Sequence, residues 1–227
     1  MCAVIGVVLK SPSNEDFELV TKIFLESKIR GLHATGLSYV KNDKIITEKY
    51  PIPADQFKFD FPNYLNEDGN LYLIGHCRYS TSDLQFNQPI SNDNFSIAHN
   101  GVITQELPEH WEELFGYKCS TKNDTELLLH TLEEDKSSLH VWNNSSLAVC
   151  ELHKDKTLRF YRNGKRPLCY MPYKDGYLIT STNDILDRAG ILGSNNLIES
   201  NIYYSIKDFT LNHTTTNIND IDLQKAY

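Results

Sequence analysis

Seven consecutive apolar residues, Ala3-Val4-Ile5-Gly6-Val7-Val8-Leu9, follow directly on Met1-Cys2 and constrain the fold more than any other stretch. A run this short and this rich in β-branched residues reads as a buried strand, and Lys10-Ser11-Pro12-Ser13-Asn14 closes it with a loop and a helix cap. Whatever sits at the mouth of such a strand is rigidly held, and here that residue is Cys2. An initiator Met is usually trimmed when the next residue is small, so the mature chain is expected to begin with Cys2. A thiol and a free α-amine would then share one residue. The thiol is the most nucleophilic side chain near neutrality, and an α-amine titrates at roughly 7.7–8.0, so nucleophile and general base come together. The plain alternative is an ordinary buried cysteine, since free Cys is among the most buried residue types.

After the loop, Phe17, Val20, Ile23 or Phe24, and Ser27 recur at helical spacing between Glu15 and Lys28, with Ser13 or Asn14 as N-cap. Arg30-Gly31-Leu32-His33-Ala34-Thr35-Gly36 breaks this helix and leads into a hairpin, Leu37–Val40 and Lys44–Tyr50, turning at Lys41-Asn42-Asp43. Residues 51–70 alternate Pro, Asn and Gly with Phe57, Phe59, Phe61 and Tyr64 and read as a long, partly anchored loop. Its rings either anchor the loop on the core or, from Phe57 to Tyr64, form a docking or lid surface. The strand Leu71–Ile74 ends in Gly75-His76-Cys77-Arg78-Tyr79-Ser80-Thr81-Ser82, and Phe95–Ala98 ends in His99-Asn100-Gly101, with Val102-Ile103-Thr104 resuming the strand. Polar clusters at strand ends are where chemistry often sits.

Thr104 is expected to cap a helix through Leu114, and a second helix runs from about Asp124 to Glu134. Beyond it, Ser145–Leu152, Leu158–Tyr161, Leu168–Met171 and Tyr177–Ser181 read as strands of one long antiparallel sheet. Asp184–Gly190 reads as a short helix and Ile198–Ile206 as a strand. With no repeat and no low-complexity linker, residues 1–227 are expected to form a single α+β domain of two stacked sheets, with 212–227 a loose tail.

Composition narrows the partners. The formal net charge is −8 and no Lys/Arg patch is present, which argues against a nucleic-acid surface. No apolar stretch approaches the length of a membrane span, and nothing resembles a signal peptide. The five cysteines, Cys2, Cys77, Cys119, Cys150 and Cys169, are widely spaced without a C-x-x-C pair, which fits reduced thiols of the cytoplasm better than a disulfide frame or a zinc site.

Met1-Cys2, Arg30-Gly31-x-x-x-Thr35-Gly36, Gly75-His76-x-Arg78-Tyr79-x-Thr81, His99-Asn100-Gly101 and Asn123-Asp124-Thr125-Glu126 stand in the order and rough spacing of class II glutamine amidotransferase domains. The resemblance continues through Gly164-Lys165-Arg166-Pro167-Leu168 to Ile179-Thr180-Ser181-Thr182, and Gly-His-x-Arg-Tyr-x-Thr is most like the glutaminase half of amidophosphoribosyltransferases. It implies an N-terminal-nucleophile hydrolase with a four-layer αββα fold, and hydrolysis of L-glutamine to glutamate and ammonia through a Cys2 thioester. It implies no cofactor and no metal. Asn100 and the Gly101 N–H would hold the oxyanion, though Asn-Gly is equally a common turn dipeptide.

Arg78 suits the substrate α-carboxylate, because a guanidinium grips a carboxylate with two parallel hydrogen bonds; a salt bridge is its ordinary use. The resemblance assigns Asp124 to the α-ammonium, although Asn123 or Asp124 serves equally as a helix cap. Thr81 would order the Arg78 loop or touch the carboxylate, Arg30 would brace the nucleophile from behind, and His76 and His99 are expected to be structural. The chain departs from the family at His33, where Asp or Gln is usual, and at Asn123, where Ser is usual; His33 bears on how the segment after Arg30 closes over the site. Family members usually carry a second domain that consumes the ammonia, so a separate synthase or transferase is the expected partner. The competing readings are an amidase for another γ-glutamyl amide and a non-catalytic module that binds an amino acid or a partner.

Overall fold

The computed structural model describes residues 1–80, 84–191, 193 and 196–215. In chain order they form β1 (Ala3–Leu9), α1 (Asn14–Ser27), β2 (Ala34–Lys41), β3 (Lys44–Tyr50), α2 (Phe61–Tyr64) and β4 (Leu71–Arg78). There follow β5 (Ile90–Ser91), β6 (Phe95–His99), α3 (Trp111–Phe115), α4 (Thr125–Glu133) and α5 (Ser138–Val141). The second half supplies β7 (Ala148–His153), β8 (Leu158–Arg162), β9 (Cys169–Tyr173), β10 (Gly176–Thr180), α6 (Asn183–Arg188), β11 (Asn196–Leu197), β12 (Ile202–Lys207) and β13 (Thr210–Thr215).

Two antiparallel sheets result, ordered β11-β9-β10-β1-β4-β2-β3 and β13-β12-β8-β7-β6-β5. β1 is apolar throughout because both of its faces are covered. Ala3, Ile5, Val7 and Leu9 pack under α1 and α6 with Val20, Ile23, Phe24, Ile185 and Leu186. Val4 and Val8 point the other way, to meet Ala98, Cys150, Leu152 and Phe160 of the second sheet. The outer face of that sheet, with Ile97, Val149 and Tyr161, packs on Leu127, Leu128 and Leu132 of α4 and on Trp111. The three cores therefore separate four layers, αββα. Fully burying each such aliphatic side chain contributes about 1.5–3 kcal/mol, so the central strand is among the least movable parts of the molecule.

α1 begins as its sequence indicates, with Ser13 and Asp16 forming a reciprocal capping box. Elsewhere the structure corrects the expectation. The strands from 145 to 181 do not share one sheet: β7 and β8 belong to the second sheet and β9 and β10 to the first. The helix expected from Thr104 to Leu114 is confined to a 3₁₀ turn at Pro108–His110 and to α3. Leu107 precedes a proline and is held extended, which keeps the helix from starting earlier. β6 stops at His99, and beyond it Val102 makes only a lone bridge to Ser146.

Phe57, Phe61 and Tyr64 are buried, and Phe59 packs beside them against Phe24 and the same core. These rings anchor the 51–70 segment, so they do not present a docking or lid surface. Asn212–Thr215 pair within β13 rather than hanging loose, and the rest of the expected tail, 216–227, lies outside the described residues.

Candidate active site

The start of β1, the end of β4 and the end of β6 meet at one side of the two sheets. Ala3 pairs with Cys77, so Cys2 and Arg78 follow one step further out at the same sheet end. The start of β1 is clamped on its other side: Ser181 Oγ accepts from Val4 N at 2.8 Å and Ser181 N donates to the Val4 carbonyl at 3.1 Å. Cys2, Arg78, Gly101 and Asp124 all line a cleft of about 370 Å³, with His76, Gln88, Trp111, Lys122 and Asn123 among the other walls. Four sequence-selected residues from four separate segments thus converge on one opening.

Cys2 differs from the thiols buried in the cores. Cys77 and Cys150 are fully buried, and burial pushes the Cys77 thiol up to about 12 and the Cys150 thiol higher still. Cys2 is half-buried and reaches the cleft. Arg30 Nε donates to its carbonyl oxygen at 3.2 Å. Arg30 Nη2 and Arg166 Nη1 approach the exposed Met1 sulfur at 3.7 and 3.6 Å. Burial lowers the Arg30 guanidinium, with Asp184 opposing and Arg166 reinforcing the effect. Gly31 is required because a Cβ there would lie 1.9 Å from the Cys77 carbonyl oxygen.

The loop after β6 is held by its backbone, which leaves its polar side chain unspent. Asn100 N donates to the Ala148 carbonyl at 2.9 Å, while its buried Nδ2 has no hydrogen-bond partner among the described residues. A buried amide N–H₂ without an acceptor costs free energy unless something else accepts from it. A Cβ on Gly101 would stand 1.8 Å from the Ser146 carbonyl oxygen and 2.5 Å from His99 Nε2, so only glycine fits that turn.

The capping question at α4 is resolved by division of labour. Asn123 Oδ1 accepts from Thr125 N at 3.1 Å, whereas the Asp124 side chain makes no capping bond. Instead Asp124 Oδ2 accepts from Ile103 N at 2.7 Å, which ties the carboxylate to the segment beyond Gly101.

Both departures from the family pattern brace Arg78. His33 N donates to the Arg78 carbonyl at 3.0 Å, and Ser80 N donates to His33 Nδ1 at 3.0 Å. Arg78 Nη1 and Asn123 Nδ2 both donate to the Phe86 carbonyl, each at 2.7 Å. Thr81, expected to order this loop, lies outside the described residues.

His99 is structural as expected: its Nε2 stands 2.9 Å from the Ser146 carbonyl, its Nδ1 3.4 Å from Thr125 Oγ1, and burial holds the ring neutral against the pull of Asp124. His76 lines the cleft, and burial aided by the Arg78 charge drives its pKa down to about 3. It therefore stays neutral and is no proton acceptor near neutral pH.

Sequence reasoning gave no role to Arg166, Phe86 or Gln88. Arg166 stands in the quoted Gly-Lys-Arg-Pro-Leu motif, which was the available signal. Phe86 acts through its backbone carbonyl and Gln88 through an amide oxygen that accepts from His99 N at 2.6 Å, and neither carries a pattern.

A family model described as a glutamine amidotransferase domain matches residues 76–188. Glutamine–fructose-6-phosphate aminotransferase of Sulfurisphaera tokodaii is 25% identical over 187 residues, 79% of this chain and 31% of that protein. Amidophosphoribosyltransferase of Pyrococcus horikoshii is 35% identical over 105 residues, 44% of this chain and 23% of that protein. The chain thus spans less than a third of the length of these curated relatives. Among solved structures, glutamine phosphoribosylpyrophosphate amidotransferase from B. subtilis superposes with a TM-score of 0.74 at 18% identity, over 96% of this chain and 50% of that one, a likeness of fold.

Proposed function

The chain carries a class II glutamine amidotransferase domain, and from that premise we propose that it hydrolyses L-glutamine to glutamate and ammonia, with Cys2 as the nucleophile. One observation carries the reading: Cys2, Arg78, Gly101 and Asp124 line one cleft, and the buried Nδ2 of Asn100, next to Gly101, has no acceptor among the described residues.

Removal of Met1 exposes the α-amine of Cys2. That amine takes the thiol proton through a water as sulfur attacks the side-chain amide carbon. The tetrahedral oxyanion is held by Asn100 Nδ2 and the Gly101 N–H, donors fixed before the reaction begins. The proton taken from the thiol is returned to the leaving nitrogen, ammonia departs, and a thioester on Cys2 remains. Water then attacks the thioester and releases glutamate. Arg78 grips the α-carboxylate and Asp124 the α-ammonium; both are charge-assisted contacts to a part of the substrate that does not react. Thr81 is proposed to order the Arg78 segment.

The ammonia goes to an acceptor domain or protein that docks over the Cys2 end, because ammonia freed into neutral water becomes mostly ammonium and loses its nucleophilicity. Ile29, Leu32, Tyr79, Val102 and Leu107 are exposed in the segments around this opening and offer the apolar surface for that contact. Among the described residues no helix is long and apolar enough to cross a membrane. All five cysteines are free thiols, which supports a reducing cytoplasmic setting, and the net charge of −8 supports partners other than nucleic acid.

The test is an ammonia-release assay on protein whose N-terminus has been sequenced. Glutamine turnover by chains that begin at Cys2, absent from Cys2→Ala, is the expected result. Comparable turnover in Cys2→Ala excludes the mechanism. Faster turnover of another γ-glutamyl amide than of glutamine points to a different amidase, and tight glutamine binding without turnover points to a binding module.

A further inference from the structure

On α4 and the segment before it, outside the residues that line the cleft, three metal-ligating side chains gather. Glu126 and His130 stand four residues apart and so share one helix face. Cys119, on the segment that leads into α4, closes over them. One ligand atom from each, the Cys119 thiol, a Glu126 carboxylate oxygen and a His130 ring nitrogen, all lie within 4.8 Å of one another.

The imidazole is prepared as a ligand. His130 Nδ1 sits 2.9 Å from Glu133 Oε2, and the ring stacks on Tyr117 at 5.3 Å and 16°. A carboxylate on Nδ1 keeps the proton there and turns the Nε2 lone pair outward, the arrangement found behind most metal-bound histidines. His130 Nε2 is shielded from solvent, has no hydrogen-bond partner among the described residues, and faces Glu126 Oε1 at 4.0 Å.

Glu126 accepts from the backbone N–H and hydroxyl of both Ser120 and Thr121 at 2.6–2.8 Å, which fixes its carboxylate beside the imidazole. A cation among the three groups gives the orphaned His130 Nε2 a partner and takes the Cys119 sulfur as a thiolate ligand. Glu126 keeps its two backbone bonds while a rotatable hydroxyl yields a lone pair.

We propose that Cys119, Glu126 and His130 bind a zinc-like divalent transition metal, with solvent in the fourth position. The donor set of sulfur, nitrogen and oxygen suits zinc and not magnesium or calcium, which take oxygen ligands. Bonds of about 2.0–2.3 Å place tetrahedral ligand atoms roughly 3.3–3.8 Å apart, so the cluster contracts by about 1 Å, and Cys119 lies outside any helix or strand. Such a site clamps the segment before α4, which carries Lys122, Asn123 and Asp124 of the cleft. The proposal does not depend on the glutaminase reading.

The test is titration of the chelator-treated, full-length chain with Co²⁺ as spectroscopic probe, followed by Zn²⁺ and Mg²⁺. One Co²⁺ per chain is expected, with a thiolate-to-cobalt charge-transfer band that Zn²⁺ abolishes and Mg²⁺ leaves. The band should persist in Cys2→Ala and disappear in both Cys119→Ser and Cys119→Ala, with metal-free circular dichroism unchanged. Glu133→Gln should weaken Co²⁺ binding about 10–100-fold, as loss of an outer partner does. Absence of the band overturns the site. So does a band that survives in the Cys119 variants, or one lost only in Cys2→Ala, which would place the metal on the other half-buried thiol.

Discussion

Asp124 Oδ2 accepts a hydrogen bond from the backbone N–H of Ile103 at 2.7 Å, so the carboxylate at the head of α4 is fastened to the segment that follows Asn100 and Gly101. The residue proposed to bind the substrate ammonium is therefore also a strut for the proposed oxyanion loop. Two substitutions separate these duties. Asp124→Asn keeps an acceptor for Ile103 but loses the charge, so KM for glutamine should rise roughly ten- to hundredfold, the worth of a charge-assisted bond, with kcat little changed. Asp124→Ala loses both, so kcat should fall as well. Steady-state kinetics of the pair checks this; equal kcat in the two variants would dissociate the strut from catalysis.

Asn100 has its backbone N–H engaged, while its side-chain Nδ2 has no partner among the described residues. Asn100→Ala should lower kcat about 10²–10³-fold while KM moves little, because the oxyanion exists only near the transition state. A rise in KM at constant kcat would show that Asn100 binds ground-state glutamine instead.

Arg78 and Asn123 share the Phe86 carbonyl as acceptor. Asn123→Ala also removes the α4 cap, so it should lower thermal stability by about 0.5–2 kcal/mol and raise KM severalfold by loosening the Arg78 seat. Arg78→Lys should raise KM far more, with little loss of stability, because a lysine cannot hold Phe86 and a carboxylate in one planar grip. Thermal melts beside kinetics distinguish the two.

Glu151 is fully buried between Arg159 at 2.6 Å and His153 at 3.3 Å. Burial alone would push its carboxyl up, but the Arg159 charge and the His153 contact hold it down at about 2. A folded pKa below the unfolded value, roughly 4.3, adds stability that is complete above that value and lost as pH falls toward about 2. Glu151→Gln should cost about 3–5 kcal/mol at neutral pH, since Arg159 keeps a partly buried charge without its partner. It should also flatten the decline of stability between pH 4.5 and pH 2, roughly the span of the two values. Urea titrations at several pH values measure both effects.

The β1 run, the capped first helix and the strand-end clusters at His76–Arg78 and His99–Gly101 were legible in the chain because each is a local pattern: unbroken apolarity, helical spacing, or polar residues where a strand must stop. Cys2, Arg78, Asn100, Gly101 and Asp124 were selected by the resemblance of their surrounding motifs to class II glutamine amidotransferase domains, since each residue type alone had an ordinary structural use. Tertiary structure decided what those patterns are used for. It assigned β7 and β8 to one sheet and β9 and β10 to the other, a partition that depends on which buried face meets which and leaves no mark on strand periodicity. It buried Phe57, Phe61 and Tyr64 of the 51–70 segment, since ring spacing alone does not tell an anchor from an exposed surface. It chose Asn123 over Asp124 as the helix cap and gave Phe86 a role through its carbonyl, a group every residue possesses and no sequence distinguishes. Local order follows from neighbours along the chain, whereas the cleft follows from backbone groups and side chains brought together across it, and only packing fixes those distances.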